Sequence, residues 1–233
     1  MKVAIHQPHY LPWLGYCAKW AAADCFVLLD TVQYEKNGWQ NRNRIKTREG
    51  VRWLTVPVRA RLGMSIRDVP IADGVPWARR HLASIEHAYA RAAHLDRFRG
   101  ELREFYGRAW THLAPAATES ACWLARALGI RTPVRLASAL VRTATDPTER
   151  LVELCRAAGG TTYLAGGDGA TYMDVRRFAD AGIRVLHQRY EPLEYVQLHG
   201  QFVPLLSALD ILLTHGDDAL GILRSGDHWD ELA

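Results

Sequence analysis

The first thirty residues constrain the fold more than any other stretch. Lys2–His6 reads as a short buried strand, and Gln7–Pro12 as a turn punctuated by proline. Trp13–Ala23 then reads as a helix. Cys25–Asp30 (Cys-Phe-Val-Leu-Leu-Asp) is a continuous apolar run of strand length that ends in a carboxylate. Strand, helix and strand within about 30 residues form a βαβ unit, and two strands joined by a crossover helix must run parallel.

The rest of the chain extends that beginning. Thr31–Gly50 reads as a long polar and aromatic loop, a length that in compact domains is usually functional or disordered, and its Trp and Tyr residues argue against disorder. Arg52–Val58 reads as a strand and Ile66–Ile71 as a weaker one. Trp77–Ala92, Leu95–Trp110 and Ala116–Leu128 carry apolar residues at helical spacing, with Pro115 separating the last two. Thr132–Ala137 suits a strand. Asp146-Pro147-Thr148-Glu149 is a helix start, with Asp as N-cap and Pro at the first position. Thr161–Ala165, Met173–Ala181, Ile183–Gln188 and Leu205–Leu213 read as strand, helix, strand and helix. The expected fold is therefore α/β: a mainly parallel sheet with flanking helices and a helical insert in the middle. The expected parts are 1–75, the insert 76–130, and 131–233 packing on the first.

Composition narrows the class. Of 233 residues, 48% are hydrophobic and 23% charged, which suits a globular chain and excludes a disordered one. No apolar run reaches the roughly 18–20 residues that span a bilayer, and the N-terminus lacks a signal-peptide core, so a cytoplasmic location is expected. Cys17, Cys25, Cys122 and Cys155 form no C-x-x-C pair and sit in apolar segments, which points to packing thiols. Charge is uneven. Residues 31–61 carry eight Lys/Arg against two Glu, whereas residues 190–233 carry one Arg against eight Asp/Glu. A basic loop suits an anionic ligand or plain solvation. The acidic C-terminal quarter argues against nucleic acid.

In a sheet of this kind, ligands bind beyond the carboxyl ends of the strands. The first strand ends in His6-Gln7-Pro8-His9-Tyr10. His6 suits a general base, an anion contact or a turn-stabilising histidine. Asp30 ends the second strand and suits either a base or acceptor contact or a turn cap. Gln33 and Tyr34 follow it. Trp39-Gln40-Asn41-Arg42-Asn43-Arg44 is dense in donors; Arg42 can grip a phosphate or carboxylate through two bonds, with Gln7, Asn41 and Asn43 aligning it. Tyr10, Trp13 and Trp39 supply apolar or stacking walls. Gly166-Gly167-Asp168-Gly169-Ala170 offers either backbone N–H groups to an anion or a tight turn, and it lacks the dinucleotide and Walker fingerprints. No metal-ligand spacing is present, and no cofactor fingerprint is legible.

The run His6-Gln7-Pro8-His9-Tyr10-Leu11-Pro12-Trp13-Leu14-Gly15-Tyr16, with Asp30-Thr31-Val32-Gln33-Tyr34 and Trp39-Gln40-Asn41-Arg42-Asn43, resembles the WbqC-like family. Thr55-Val56-Pro57-Val58, Tyr163-Leu164-Ala165-Gly166, Tyr172-Met173-Asp174 and Ser207-Ala208-Leu209-Asp210 extend the resemblance over nearly the whole chain. Cys17 stands where an aromatic residue is expected, and Ser138 is single where a serine pair is commoner. The resemblance implies a tailoring transferase in surface-polysaccharide or natural-product pathways, acting on a sugar- or amino-acid-containing metabolite. The Pro-rich turn before a helix also resembles the start of HIGH-motif nucleotidyltransferases, with Tyr16 where their second His stands. That likeness implies an alternative use of a nucleoside triphosphate with Mg²⁺; a non-enzymatic ligand binder is the third reading. The expected partner is a small, anionic or carrier-bound substrate. The apolar C-terminal helix and eight tryptophans suit either a core or a homodimer face.

Overall fold

The structure is a computed structural model that describes residues 1–141, 144–167, 169 and 173–232. Its centre is a six-stranded sheet built from β1 (Lys2–His6), β2 (Cys25–Leu28), β5 (Val134–Leu136), β6 (Thr162–Ala165), β7 (Arg184–Tyr190) and β8 (Asp227–Leu232). The spatial order is β5-β2-β1-β6-β7-β8. The first five are parallel; β8 runs antiparallel to β7 along the edge. Chain order thus reverses at β1. β2 and then β5, the strand after the insert, add on one side of β1, whereas β6, β7 and β8 add on the other.

Alternation along the strands explains why both faces are covered. Val3 and Ile5 of β1, and Cys25 and Val27 of β2, point into one apolar cluster with Leu151, Leu154 and Phe178. Ala4, Phe26 and Leu28 point into the other, with α1 (Leu14–Ala22) and the helical insert. Both faces being buried is why these strands read as continuous apolar runs. On the second face the Trp20 ring stacks on Phe26 at 4.4 Å. The insert comprises α2 (Trp77–Ala88), α3 (Leu95–Gly107) and α4 (Leu113–Ala127). Its Ile85, Phe98, Leu113 and Leu124 belong to the same cluster as Tyr16 of α1 and Leu212 near the C-terminus.

Local chemistry sets most boundaries. α6 (Pro147–Ala157) starts on Asp146, whose side chain accepts from Glu149 N at 2.8 Å. Pro115 lies inside the first turn of α4, where its missing N–H leaves no bond unmade, so it opens that helix from within. Three expectations give way. The segment 31–50 is not all loop: Arg42–Thr47 is β3, paired antiparallel with β4 (Gly50–Thr55). Ile66–Asp68 is a 3₁₀ turn rather than a strand. The expected helix Leu205–Leu213 forms only from Leu209, as α8 (Leu209–His215), and two elements that were not expected follow it, α9 (Ala219–Ser225) and β8. The remaining helices are α5 (Ala137–Leu140) and α7 (Val175–Asp180). Among the described residues no helix is long and apolar enough to cross a membrane.

Candidate functional site

The reversal of strand order opens a crevice beyond the carboxyl ends of β1 and β6, where two neighbouring strands send their connections to opposite faces. A cleft of about 590 Å³ occupies it. His6, Gln7 and Trp13 line it from the first turn, Trp39 from the segment before β3, and Gly166 and Gly167 from the end of β6. His9, Tyr16, Lys19, Gln188, Tyr190 and Leu205 complete the walls and floor.

The β1–α1 turn is held in an unusual shape. Leu11 has φ 44°, a left-handed conformation that is costly for a residue with a side chain. Two buried partners fix it. Leu11 N donates to Ser120 Oγ at 3.0 Å, and Asn43 Nδ2 donates to Leu11 O at 2.7 Å. Gln40 adds a third tie, its Nε2 donating to Gln7 Oε1 at 2.7 Å. Trp13 then folds back over the helix start. A Cβ on Gly15 would stand 2.3 Å from the Trp13 ring, so only glycine fits beneath it. The indole meets Tyr190 edge-on at 5.5 Å and forms a wall.

At the head of β1 three rings meet. His6 lies 4.6 Å from both His9 and Tyr16, and the His9 and Tyr16 rings stack at 5.0 Å. His6 Nδ1 approaches Gln7 O at 3.3 Å, which places the ring proton there and leaves Nε2 as the lone-pair nitrogen. Burial, then the nearby Lys19 and His9, hold the His6 pKa well below the usual histidine value. Burial first, then Lys19, lowers His9 to about 3. Both imidazoles are neutral at neutral pH. Lys19, on the same face of α1 as Tyr16, donates to Ile5 O at 3.1 Å, and burial lowers its ammonium to about 7.

The other sequence candidates lie elsewhere. Asp30 is buried and accepts from Ser138 N at 3.0 Å and Ser138 Oγ at 2.6 Å, tying β2 to α5. Tyr10 is fully buried in the insert, its hydroxyl bonded to His81 Nδ1 and Tyr106 OH. Asn41 donates to Val56 O at 2.8 Å, and Asn43 holds Leu11. Gln33 is exposed beside Ser65, and Tyr34 packs in the core. Arg42 bonds Asn37 and lies 4.4 Å over the Trp53 ring. None of these seven lines the cleft. In the glycine-rich turn Gly169 N donates to Gly166 O at 2.8 Å; Asp168 and Ala170, like Tyr172, lie outside the described residues.

Sequence reasoning missed His9 and Lys19. The signal for Lys19 was present: it is the one charged residue in Leu14–Ala23, set on an otherwise apolar helix. Among the described residues no group of three or more His, Cys, Asp or Glu is placed to hold a metal. Burial pushes the Cys122 thiol up to about 11 and Cys155 up to about 12, and no cysteine lines the cleft among the described residues. That chemistry opposes thiolate catalysis.

The WbqC-like protein family matches residues 7–222. The Mycobacterium tuberculosis protein named "Uncharacterized protein Rv1507c" is 39% identical over 228 residues, covering 96% of this chain and 97% of the relative. No solved structure matches the chain at a significant level.

Proposed function

The chain belongs to the WbqC-like protein family, and from that premise we propose that it is a group-transfer enzyme whose chemistry takes place in the β1–β6 cleft. Its substrate is a small anionic or carrier-bound metabolite of surface-polysaccharide or natural-product biosynthesis. One observation carries the reading: a neutral histidine, with Nε2 free of partners among the described residues, stands in a cleft at the strand reversal.

The step is acyl or aminoacyl transfer. An acceptor hydroxyl or amine gives its proton to His6 Nε2 as its lone pair bonds to the donor's carbonyl carbon. The bond to the leaving group then breaks, and that group departs with the electron pair and recovers the proton from His6. Trp13 and Trp39 exclude water from the sides. Gln7 has its oxygen engaged by Gln40 and its amide N–H₂ left for the substrate. Gly166 lets the donor approach the backbone of β6. Asp30 supports the site from behind, by fixing the end of β2.

The strand order favours a second reading. Taking the five parallel strands in chain order, their spatial order is third, second, first, fourth, fifth, the start of the order found in dinucleotide-binding sheets. A nucleotide donor would then fill the same cleft, with release of pyrophosphate.

A thermal-shift screen separates the two. The purified protein is scanned with nucleotides, nucleotide sugars, acyl and aminoacyl thioesters and amino acids, each with and without Mg²⁺. A ligand at 100 times its Kd adds about 2.7 kcal/mol and raises Tm by several degrees. Hits among thioesters or amino acids support acyl transfer; a nucleotide hit moves the assignment to nucleotidyl chemistry. With the donor found, His6→Ala lowers kcat by about 10²–10⁴-fold. Full turnover in that variant sinks the mechanism.

A further inference from the structure

Two polar side chains at the floor of the cleft have no part in the transfer step. Lys19 is 1% exposed and His9 5% exposed, and both line the cavity. Lys19 Nζ spends one of its N–H bonds on Ile5 O and has no carboxylate partner among the described residues. His9 Nδ1 is buried without any partner among them. A buried ammonium with one neutral acceptor is an expensive feature, and an apolar side chain of the same length would fill the space without that cost.

The surroundings say what the two groups are for. Gly166 borders Lys19, and a Cβ there would stand 3.3 Å from Nζ. The absence of a side chain keeps the amine open toward the cleft. Glu35 is the one carboxylate among the described cleft residues, and it is exposed. Near Lys19 stand His6 and His9 from the turn and Tyr16 from its own helix, all of them groups that donate protons or gain positive charge.

We propose that Lys19 and His9 form a seat for an oxyanion, a phosphate or a carboxylate carried by the substrate, at the floor of the cleft beside Gly166. This rests on the cleft assigned above and adds the chemical class that it recognises. An arriving oxyanion accepts from Lys19 Nζ and from a ring N–H of His9, and satisfies both groups at once. It also restores the full charge that burial withholds from Lys19. The transferring group then lies above this seat, toward His6.

The test needs no turnover. The full-length protein is titrated with inorganic phosphate, pyrophosphate and acetate at constant ionic strength, with chloride as control. Saturable binding of phosphate or pyrophosphate but not acetate assigns a phosphate seat; saturable acetate binding assigns a carboxylate seat. Lys19→Met is expected to melt no lower than the parent and to bind the same anion at least tenfold more weakly. A Lys19→Met variant that melts lower with unchanged anion affinity makes Lys19 a structural tie to Ile5 and overturns the proposal. So does the lack of saturable binding by the parent. If Lys19→Met does not fold, ¹⁵N-lysine spectra of the unaltered protein decide: the Lys19 Nζ resonance moves on adding phosphate or acetate, and a stationary resonance overturns the seat. A seat that binds while no donor is ever transferred refutes the transfer reading alone. His6-dependent transfer with anion affinity unchanged in Lys19→Met refutes the seat alone.

Discussion

The turn His6–Trp13 and the segment Trp39–Arg44 are equally dense in polar and aromatic side chains, yet the molecule uses them in opposite ways. In the first, His6 and His9 keep ring nitrogens unengaged and Gln7 keeps its amide N–H₂, all facing a cleft. In the second, Gln40, Asn41, Asn43 and Arg44 spend their donors on backbone and side-chain acceptors of the fold. Arg44 Nη2, for example, donates to Leu205 O at 2.8 Å and so fixes one lip of the cleft. The lesson is one of hydrogen-bond accounting. A polar motif is a candidate for ligand binding only where its groups remain unspent after the backbone has been satisfied.

The sharpest way to break the comparison is to cut the spent motif. Asn43→Leu leaves Leu11 O and Arg44 N without partners in a buried setting. Each unsatisfied group costs about 1–3 kcal/mol. Losing both costs about 2–6 kcal/mol and should lower Tm by roughly 4–24 °C, at about 2–4 °C per kcal/mol for a chain this long. Asp30→Ala strands the Ser138 N–H and should cost about half as much. By contrast, Trp39→Ala and His6→Gln should stay within about 1 kcal/mol in thermal melts, since both line the cleft and their unspent edges hold no element of the fold in place. If Asn43→Leu melts with the parent while His6→Gln collapses, the division of labour is reversed.

Titration offers a second, smaller test. His9 and Lys19 are both held below their unfolded values, so in each case the unfolded chain binds the extra proton. For such groups stability rises with pH between the folded and unfolded pKa. His9 therefore removes stability as pH falls from 6.5 toward 3. Lys19 imposes its full cost below pH 7, and that cost fades as pH climbs toward 10.5. The buried thiols, with raised pKa values, act in the opposite sense above about pH 8.5, where unfolded cysteine ionises. Denaturant midpoints should thus increase from pH 7 to about 8.5 in the parent. Lys19→Met should flatten that rise, and an identical rise in both proteins would show that Lys19 is not the source.

These contrasts also explain what the sequence could tell. The parallel core was legible because strands covered on both faces are apolar throughout, as in Phe26-Val27-Leu28. Strand β3 was hidden because its buried positions alternate an amide with an aliphatic, Asn43 with Ile45, between half-buried arginines. Strand β8 was hidden because an edge strand paired on one side needs little apolar content. At the cleft, His6, Gln7 and Gly166 were legible as residues at strand ends, and Trp13 and Trp39 as aromatic walls. Asp30, Tyr10, Asn41 and Asn43 carried the same signal, and only three-dimensional partners separate a spent donor from a free one. Lys19 stayed hidden because Leu14–Ala23 is otherwise apolar and signals only a buried helix, while the cleft that the ammonium faces is formed by residues distant in sequence.

The smallest effect tests the margin of the comparison. Arg42 is the member of the second motif whose sequence most resembles a phosphate grip, and its guanidinium lies 4.4 Å over Trp53 on the surface of the hairpin. An exposed cation–π contact of this kind contributes about 0.5–1 kcal/mol. Arg42→Ala should therefore lower Tm by no more than about 2–4 °C, and Arg42→Lys should recover part of that loss. Neither change should alter the affinity for phosphate, pyrophosphate or acetate, because Arg42 bonds Asn37 outside the cleft. The two readouts separate its possible roles cleanly. A tenfold loss of anion affinity with an unmoved Tm would make Arg42 a ligand contact that swings inward on binding. The line between the spent and unspent motifs would then have to be drawn with the anion bound.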